Sequence, residues 1–173
     1  GEDVIRFDGN NFDVYDNSNS PIPGTSVLTN CVKIDRSDNK WIGVENNLTP
    51  LVRINESYPE NNTSYNVSDF VDSGGNPVCP IAPSSIKIIE NNTKTGDIFA
   101  AFISNTSPSY DGLLYYSGAS KDWYLYTPNN SDVPSGNIRD LKLEFYELNK
   151  WYLWVATDQG LSRFNGVDFR NYN

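Results

Sequence analysis

The sequence contains no histidine and no methionine, and only two cysteines in 173 residues. Without histidine there is no Ser–His or Cys–His pair, the commonest way to activate a nucleophile near neutral pH. No metal-spaced cysteine cluster, phosphate-cradling glycine loop or dinucleotide fingerprint occurs, so no metal or cofactor is expected. Basic residues are also few. The 13 Lys and Arg are outnumbered by 22 Asp and Glu, and the net charge is −9. That balance is opposite to the footprint a nucleic-acid binder needs. No apolar run approaches the length of a membrane-spanning helix, and no signal peptide is legible at the start. What is abundant is Asn, Ser, Tyr, Gly and Pro, a composition that suits turn-rich β structure outside the cytosol.

The main signal is repetition. Arg6-Phe7-Asp8-Gly9-Asn10-Asn11-Phe12-Asp13-Val14-Tyr15 aligns without a gap on Arg163-Phe164-Asn165-Gly166-Val167-Asp168-Phe169-Arg170-Asn171-Tyr172. Phe7 and Phe164 lie 157 residues apart, and a third of that, about 52, is the length of one four-stranded unit with loop insertions. Two copies should lie between, and both are visible. An apolar-Lys-apolar core recurs at Val32-Lys33-Ile34, Ile86-Lys87-Ile88 and Leu141-Lys142-Leu143. An aromatic-led strand follows each, at Trp41 to Val44, Phe99 to Phe102 and Trp154 to Thr157. Third strands fall at Leu51 to Ile54, Leu113 to Tyr116 and Leu161 to Phe164. Fourth strands fall at Phe12 to Tyr15, Trp123 to Tyr126 and Phe169 to Tyr172, with a blurred copy between Tyr65 and Val71. Gly43, Ala101 and Ala156 stand two positions after the lead aromatic, where a small residue lets inner strands crowd together.

Four antiparallel strands per unit, apolar on both faces, describe a β-propeller blade, which needs neighbours to bury it. The expected fold is therefore all-β, a propeller segment of about three and a half blades. Its expected parts are an outer half-blade at 1–15 and blades at 28–72, 84–127 and 137–173. The half-blade lacks its two inner strands, and the last blade already has four, so the two ends cannot complete each other. The chain is thus expected to be part of a larger propeller, or to join another chain through its open sheet edges.

At these residues the chain resembles the two-component-regulator propeller repeats, which are common in large extracytoplasmic sensors and surface proteins of Bacteroidota. Asn19-Ser20-Pro21-Ile22-Pro23, Val32 to Asp35 and Trp41-Ile42-Gly43-Val44 carry the pattern once. Asn130-Ser131-Asp132-Val133-Pro134, Leu141 to Glu144, Trp154-Val155-Ala156-Thr157, Gly160-Leu161 and Phe164-Asn165-Gly166 carry it again. The middle copy departs from it, with Phe99 in place of Trp and an inserted loop from Asn105 to Asp111. The resemblance implies an extracytoplasmic setting, at the cell surface, in the periplasm or secreted. It also implies propellers that present rim loops to a glycan or an envelope protein, as in hybrid glycan sensors and in propeller-bearing parts of the type IX secretion machinery. In that setting the frequent Asn-X-Ser/Thr sequons, such as Asn47-Leu48-Thr49 and Asn105-Thr106-Ser107, read as accidents of an Asn-rich composition.

Few residues remain as candidates for function. The Asp35/Asp38 pair sits in a polar hairpin, and none of the acidic pairs matches a calcium loop. Cys31 and Cys79 fall near the starts of adjacent units, on the same rim, and are the candidate disulfide. Trp41 and Trp154 occupy the packing position of the repeat. Tyr58, Tyr110, Trp123 and Trp151 lie in loops or at strand ends and are the candidate contacts for a glycan or protein partner. The expected function is non-catalytic binding. The alternatives are part of a propeller-fold polysaccharide lyase or glycosidase, or a structural module that pairs through its open edge.

Overall fold

A computed structural model describes residues 3–24, 28–45, 47–147 and 150–172. Residues 1–2, 25–27, 46, 148–149 and 173, all within the units and connection expected above, lie outside the described residues. The fold is all-β. It begins with a hairpin of β1 (Val4–Phe7) and β2 (Phe12–Tyr15). Three four-stranded antiparallel sheets follow, each with its strands in chain order. The first holds β3 (Thr29–Ile34), β4 (Lys40–Val44), β5 (Leu51–Ile54) and β6 (Thr63–Tyr65). The second holds β7 (Ser84–Asn92), β8 (Asp97–Ser104), β9 (Gly112–Tyr116) and β10 (Trp123–Tyr126). The third holds β11 (Ile138–Glu147), β12 (Lys150–Thr157), β13 (Gly160–Phe164) and β14 (Phe169–Tyr172).

The gapless alignment of the two chain ends reappears as one shared turn. Asp8 Oδ1 accepts from the backbone N–H groups of Asn10 and Asn11, and Asn165 Oδ1 accepts from those of Val167 and Asp168. Gly9 and Gly166 then take φ +103° and +98°, which residues with a side chain rarely adopt. The connections between sheets repeat as well. Asn19 and Asn130 each accept from a backbone N–H three residues back and donate to a carbonyl five residues back. Each connection then buries one residue before a proline: Ile22, Cys79 and Val133.

Stacking follows one sense throughout. The hairpin lays Val4 and Tyr15 on Ile42, Val44, Val52 and Ile54 of the first sheet. The first sheet's other face, with Trp41 and Leu51, meets Ile86, Ile89, Phe102 and Trp123 of the second sheet. The second sheet's other face, with Phe99, Leu113 and Tyr115, meets Leu141, Leu153, Val155 and Phe164 of the third. Each such apolar side chain removed from water is worth roughly 1.5–3 kcal/mol. The exposed ion pairs contribute at most about 1 kcal/mol each, so inter-sheet packing dominates.

The first strands of the sheets adjoin, and they are tied by side chains rather than by a backbone ladder. Asn30 Nδ2 donates to the Ile86 carbonyl at 3.3 Å, Asn91 Nδ2 to the Ile34 carbonyl at 3.0 Å, and Lys33 pairs with Glu90 at 2.9 Å. These contacts rise together along both strands, so β3 and β7 run side by side in the same direction. Gly43 permits the approach. A Cβ there would stand 2.5 Å from the Ile86 carbonyl oxygen and 2.6 Å from Cys31 Sγ.

Three expectations need correction. The blurred fourth strand between Tyr65 and Val71 is instead Thr63–Tyr65, stopped by a 3₁₀ turn whose capping box links Asn66 and Asp69. The middle copy of the first strand is displaced by three residues from the expected alignment: the equivalent bulges fall at Thr29/Cys31, Ile86/Ile88 and Ile138/Asp140, and Ile89 and Glu90 occupy the places that Val32 and Lys33 hold in the first sheet, opposite the second strand. The candidate disulfide is absent, and both cysteines are free. Cys79 serves as the buried plug before Pro80, the role of Ile22 and Val133, while Cys31 lies on β3 with its thiol against the Ile86 carbonyl at 4.0 Å. Each behaves as a small apolar side chain. Burial pushes the Cys31 thiol up to about 11, outweighing a backbone hydrogen bond at Gly43, and pushes Cys79 higher still.

Two outcomes are expected. Replacing Gly43 with Ala should lower unfolding free energy in denaturant titrations by about 1–3 kcal/mol, the cost of overpacking. A thiol reagent at pH 8 should leave both cysteines unmodified in the native protein and label both in denaturant. A non-reducing intact mass short by two hydrogens would contradict this.

Candidate interaction surfaces

The acidic residues near the strand ends are used structurally. Asp35 accepts from the backbone of Ser37 and Asn39 and from Trp41 Nε1 at 2.9 Å. Burial opposes its charge, but the bonds from Asn39 and Trp41 outweigh this and hold it below the usual carboxylate range. The same pairing recurs in the last sheet, where Trp154 Nε1 donates to Glu144 Oε2 at 2.6 Å. Among the described residues no three His, Cys, Asp or Glu converge to hold a metal ion.

The candidate aromatic contacts separate into two kinds. Trp123 is only 4% exposed, wedged against Phe70 and Tyr116 with ring centroids 4.6 and 4.9 Å away. Trp151 is half-buried on Phe99 and Phe164. Both are packing residues, because the strand ends they occupy are covered by the neighbouring sheet. Tyr58 and Tyr110 are exposed, Tyr58 just before a single 3₁₀ turn and Tyr110 as the last residue of another. They are not brought together. Tyr58 lies in a third-to-fourth strand connection and Tyr110 in a second-to-third, at opposite ends of the strands.

The Tyr110 end has the more binding-like surroundings. A shallow cavity of about 260 Å³ lies between Tyr110, Ser109, Asn129 and Thr127. It adjoins an open groove of about 560 Å³ along the edge strand β10, lined by Tyr124, Tyr126, Asp72 and Asn130. Tyr124 and Tyr126 stack with centroids 6.4 Å apart and continue a ladder from Tyr115. Amide groups beside tyrosine faces suit a neutral polar ligand such as a sugar.

Two further surfaces are the faces at the two ends of the stack, which an open arc of blades is expected to leave bare. One is the outward face of the last sheet. Arg163 lies 3.8 Å over the ring of Tyr152 and 6.0 Å from that of Trp154, which packs at 5.4 Å on Tyr172. The first sheet has the same trio, Trp41, Arg53 and Tyr65, with Trp41 at 4% exposure beneath the second sheet. Trp154 therefore occupies the packing position, as expected, but the described residues place no sheet over it. The other surface is the hairpin. Ile5, Phe7, Phe12 and Val14 are exposed on its far side, while Arg6 and Tyr15 point inward at Glu56. The alternation of β1 and β2 carries this signal, since i and i+2 share a face.

Glu56 ties the hairpin down. Arg6 ion-pairs with Oε2, and Lys40 Nζ stands 3.1 Å from the buried Oε1, near enough for charge attraction but outside hydrogen-bond geometry. Burial works against the carboxylate's charge, but the Tyr15 hydroxyl, Lys40 and Arg6 together hold its pKa below the ordinary 4.5.

No family model matches the chain, and no curated protein sequence does. Among solved structures, it is similar to PorZ, a bacterial surface component of the type-IX secretion system of Porphyromonas gingivalis. The TM-score is 0.54, with 18% identity over 80% of this chain. The chain spans only 17% of the PorZ length. At that identity the likeness concerns the fold, an all-β arrangement of antiparallel sheets.

A pH dependence follows from Glu56. Its folded pKa is depressed, so its stabilising contribution is complete above 4.5 and fades as the pH falls through the lower folded value. Amide exchange across Val4–Phe7 should therefore accelerate in that acid range before exchange in the second sheet does. Glu56→Gln should raise hairpin exchange at neutral pH and remove its acid step. An unchanged step would show that Glu56 does not hold the hairpin.

Proposed function

We propose that the chain is a segment of an extracytoplasmic β-propeller of the two-component-regulator repeat type, which works by binding rather than by catalysis. The observation that carries this reading is the stacking of four-stranded meanders in one sense, with β3 and β7 side by side and parallel at the inner seam. Sheets arranged radially around an axis have this geometry. The likeness to PorZ, itself a surface component of a secretion system, supports the extracytoplasmic setting. The groove along β10, with Tyr124 and Tyr126, and the adjoining Tyr110 cavity form the rim that would meet a glycan or an envelope protein. The acidic side chains near the inner seam are bound to Lys33, Asn39, Trp41 or Trp154, which leaves them unsuited to acid–base work.

The test is incubation of the purified chain with a panel of neutral and acidic polysaccharides, with binding and bond cleavage followed in parallel. Saturable retention without new reducing ends or unsaturated uronates is expected, and Tyr126→Ala should weaken it. Cleavage that persists through repurification and disappears in an Asp or Glu variant would overturn the non-catalytic reading.

A further inference from the structure

The outer rim of the second sheet holds a third depression beside the Tyr110 cavity and the groove along β10. It is a cleft of about 390 Å³ between residues 128–132, in the connection to the third sheet, and the turn from β13 to β14, with Tyr126, Asp132, Asp168 and Phe169 in its walls. Asn130 borders all three depressions. Their walls are fixed before any ligand arrives. Asn130 Oδ1 accepts from the Thr127 N–H at 2.7 Å, Asn171 Nδ2 donates to the Asp132 carbonyl at 2.9 Å, and the Trp123 N–H donates to the Val71 carbonyl at 2.9 Å. Within its sheet β10 is the strand farthest from β7 and the inner seam. The sheets stack by their faces, and both sheets that flank this rim are among the described residues. A further sheet at either end of the stack would leave the rim open.

The charge of these walls has one sign. Asp72, Asp132 and Asp168 line them, and no Lys or Arg does. Among the described residues the ion pairs all lie elsewhere. Lys121 and Arg170, on neighbouring segments, lie over the rings of Tyr116 and Tyr172 instead. Asp72 accepts from the backbone and side-chain amides of Asn76 and from the Gly74 N–H, which hold it below the usual carboxylate range and therefore ionised at neutral pH. Asp168 gives its N–H to Asn165 Oδ1, and its carboxylate is close enough to Tyr126 to add to the rise that burial and Tyr124 impose on that hydroxyl. Among the described residues no donor bonds to the carboxylate of Asp132 or of Asp168.

We propose that the three depressions form one continuous site for an uncharged, hydroxyl-rich oligosaccharide, and that the carboxylates in its walls exclude acidic sugars. This rests on the glycan-binding reading above and names the class of glycan. The two oxygens of a free carboxylate can accept from two adjacent sugar hydroxyls, and such charge-assisted bonds are strong. The ring of Tyr126 offers an apolar face for the sugar's C–H groups. A uronate or sulfate brought to the same walls would meet fixed negative charge with no cation to offset it.

The test gives each polysaccharide a twin of the other charge state. Neutral polysaccharides retained by the purified chain are oxidised at their primary hydroxyls to uronates, and acidic ones are also offered after reduction of their carboxylates to alcohols. The uncharged twin is expected to bind at least about tenfold more tightly, because each fixed carboxylate repels a nearby uronate. Asp132→Lys combined with Asp168→Lys, both at exposed positions, should weaken binding of the uncharged twin and admit the acidic one, with the melting temperature checking that the fold persists. An acidic twin that binds as tightly as the uncharged one to the unaltered chain would overturn the inference and leave glycan recognition standing. Retention of no polysaccharide of either kind would overturn both. Saturable binding of oligolysine that the double change abolishes would also overturn the inference, because the carboxylates would then serve a cation.

Discussion

Trp41 on one face of β4 and Ile42 on the other are both withdrawn from water, at 4% and 0% exposure. A sheet that buries both faces cannot be stable by itself, and the rest of the molecule follows from that requirement. It fixes the stacking sense, because each sheet needs a neighbour before it and another behind it. It fixes the approach of the inner strands, and hence the glycine at Gly43. It also explains why the two ends of the stack, the far face of the hairpin and the outer face of the last sheet, carry the exposed Ile5, Phe7, Phe12 and Leu161 and the half-buried Trp154.

Much of this was legible in the sequence. Alternation within short runs located the strands, and the Asp8-Gly9 and Asn165-Gly166 turns set the offset between copies, since their chemistry is local. Two kinds of information were not. Ile89, and not Ile86, holds the place of Val32, three residues from the expected alignment, because an apolar-Lys-apolar triplet does not by itself fix which residue faces the second strand. Exposure of individual rings depends on what lies over them. Trp41 and Trp154 occupy the same repeat position and differ in whether a sheet of the described residues lies over them. The cysteine pairing failed for a related reason: proximity along the rim says nothing about side-chain direction, and Cys79 points into the core as Ile22 and Val133 do.

The pairing of a carboxylate with the lead tryptophan, Asp35 with Trp41 and Glu144 with Trp154, has a bearing on function. It uses acidic groups at the end of the first strand to orient the ring that packs against the next sheet. An active site would require those positions to be free, or others to converge near the seam. The described surface also presents tyrosine faces and amides along β10.

The stack also has a polarity, since every unit turns the same kind of face toward its successor. During synthesis, the amino-terminal part emerges first and domains tend to fold in that order. Each completed sheet would then wait with one face bare until the next is made. In the hairpin, the first sheet and the last sheet, that waiting face carries an arginine: Arg6, ion-paired with Glu56 and Asp13, and Arg53 and Arg163, which lie over aromatic rings. A guanidinium there keeps the face wettable while it is alone and can lie flat on the rings once covered. The same residue thus guards against premature association and takes part in the final packing.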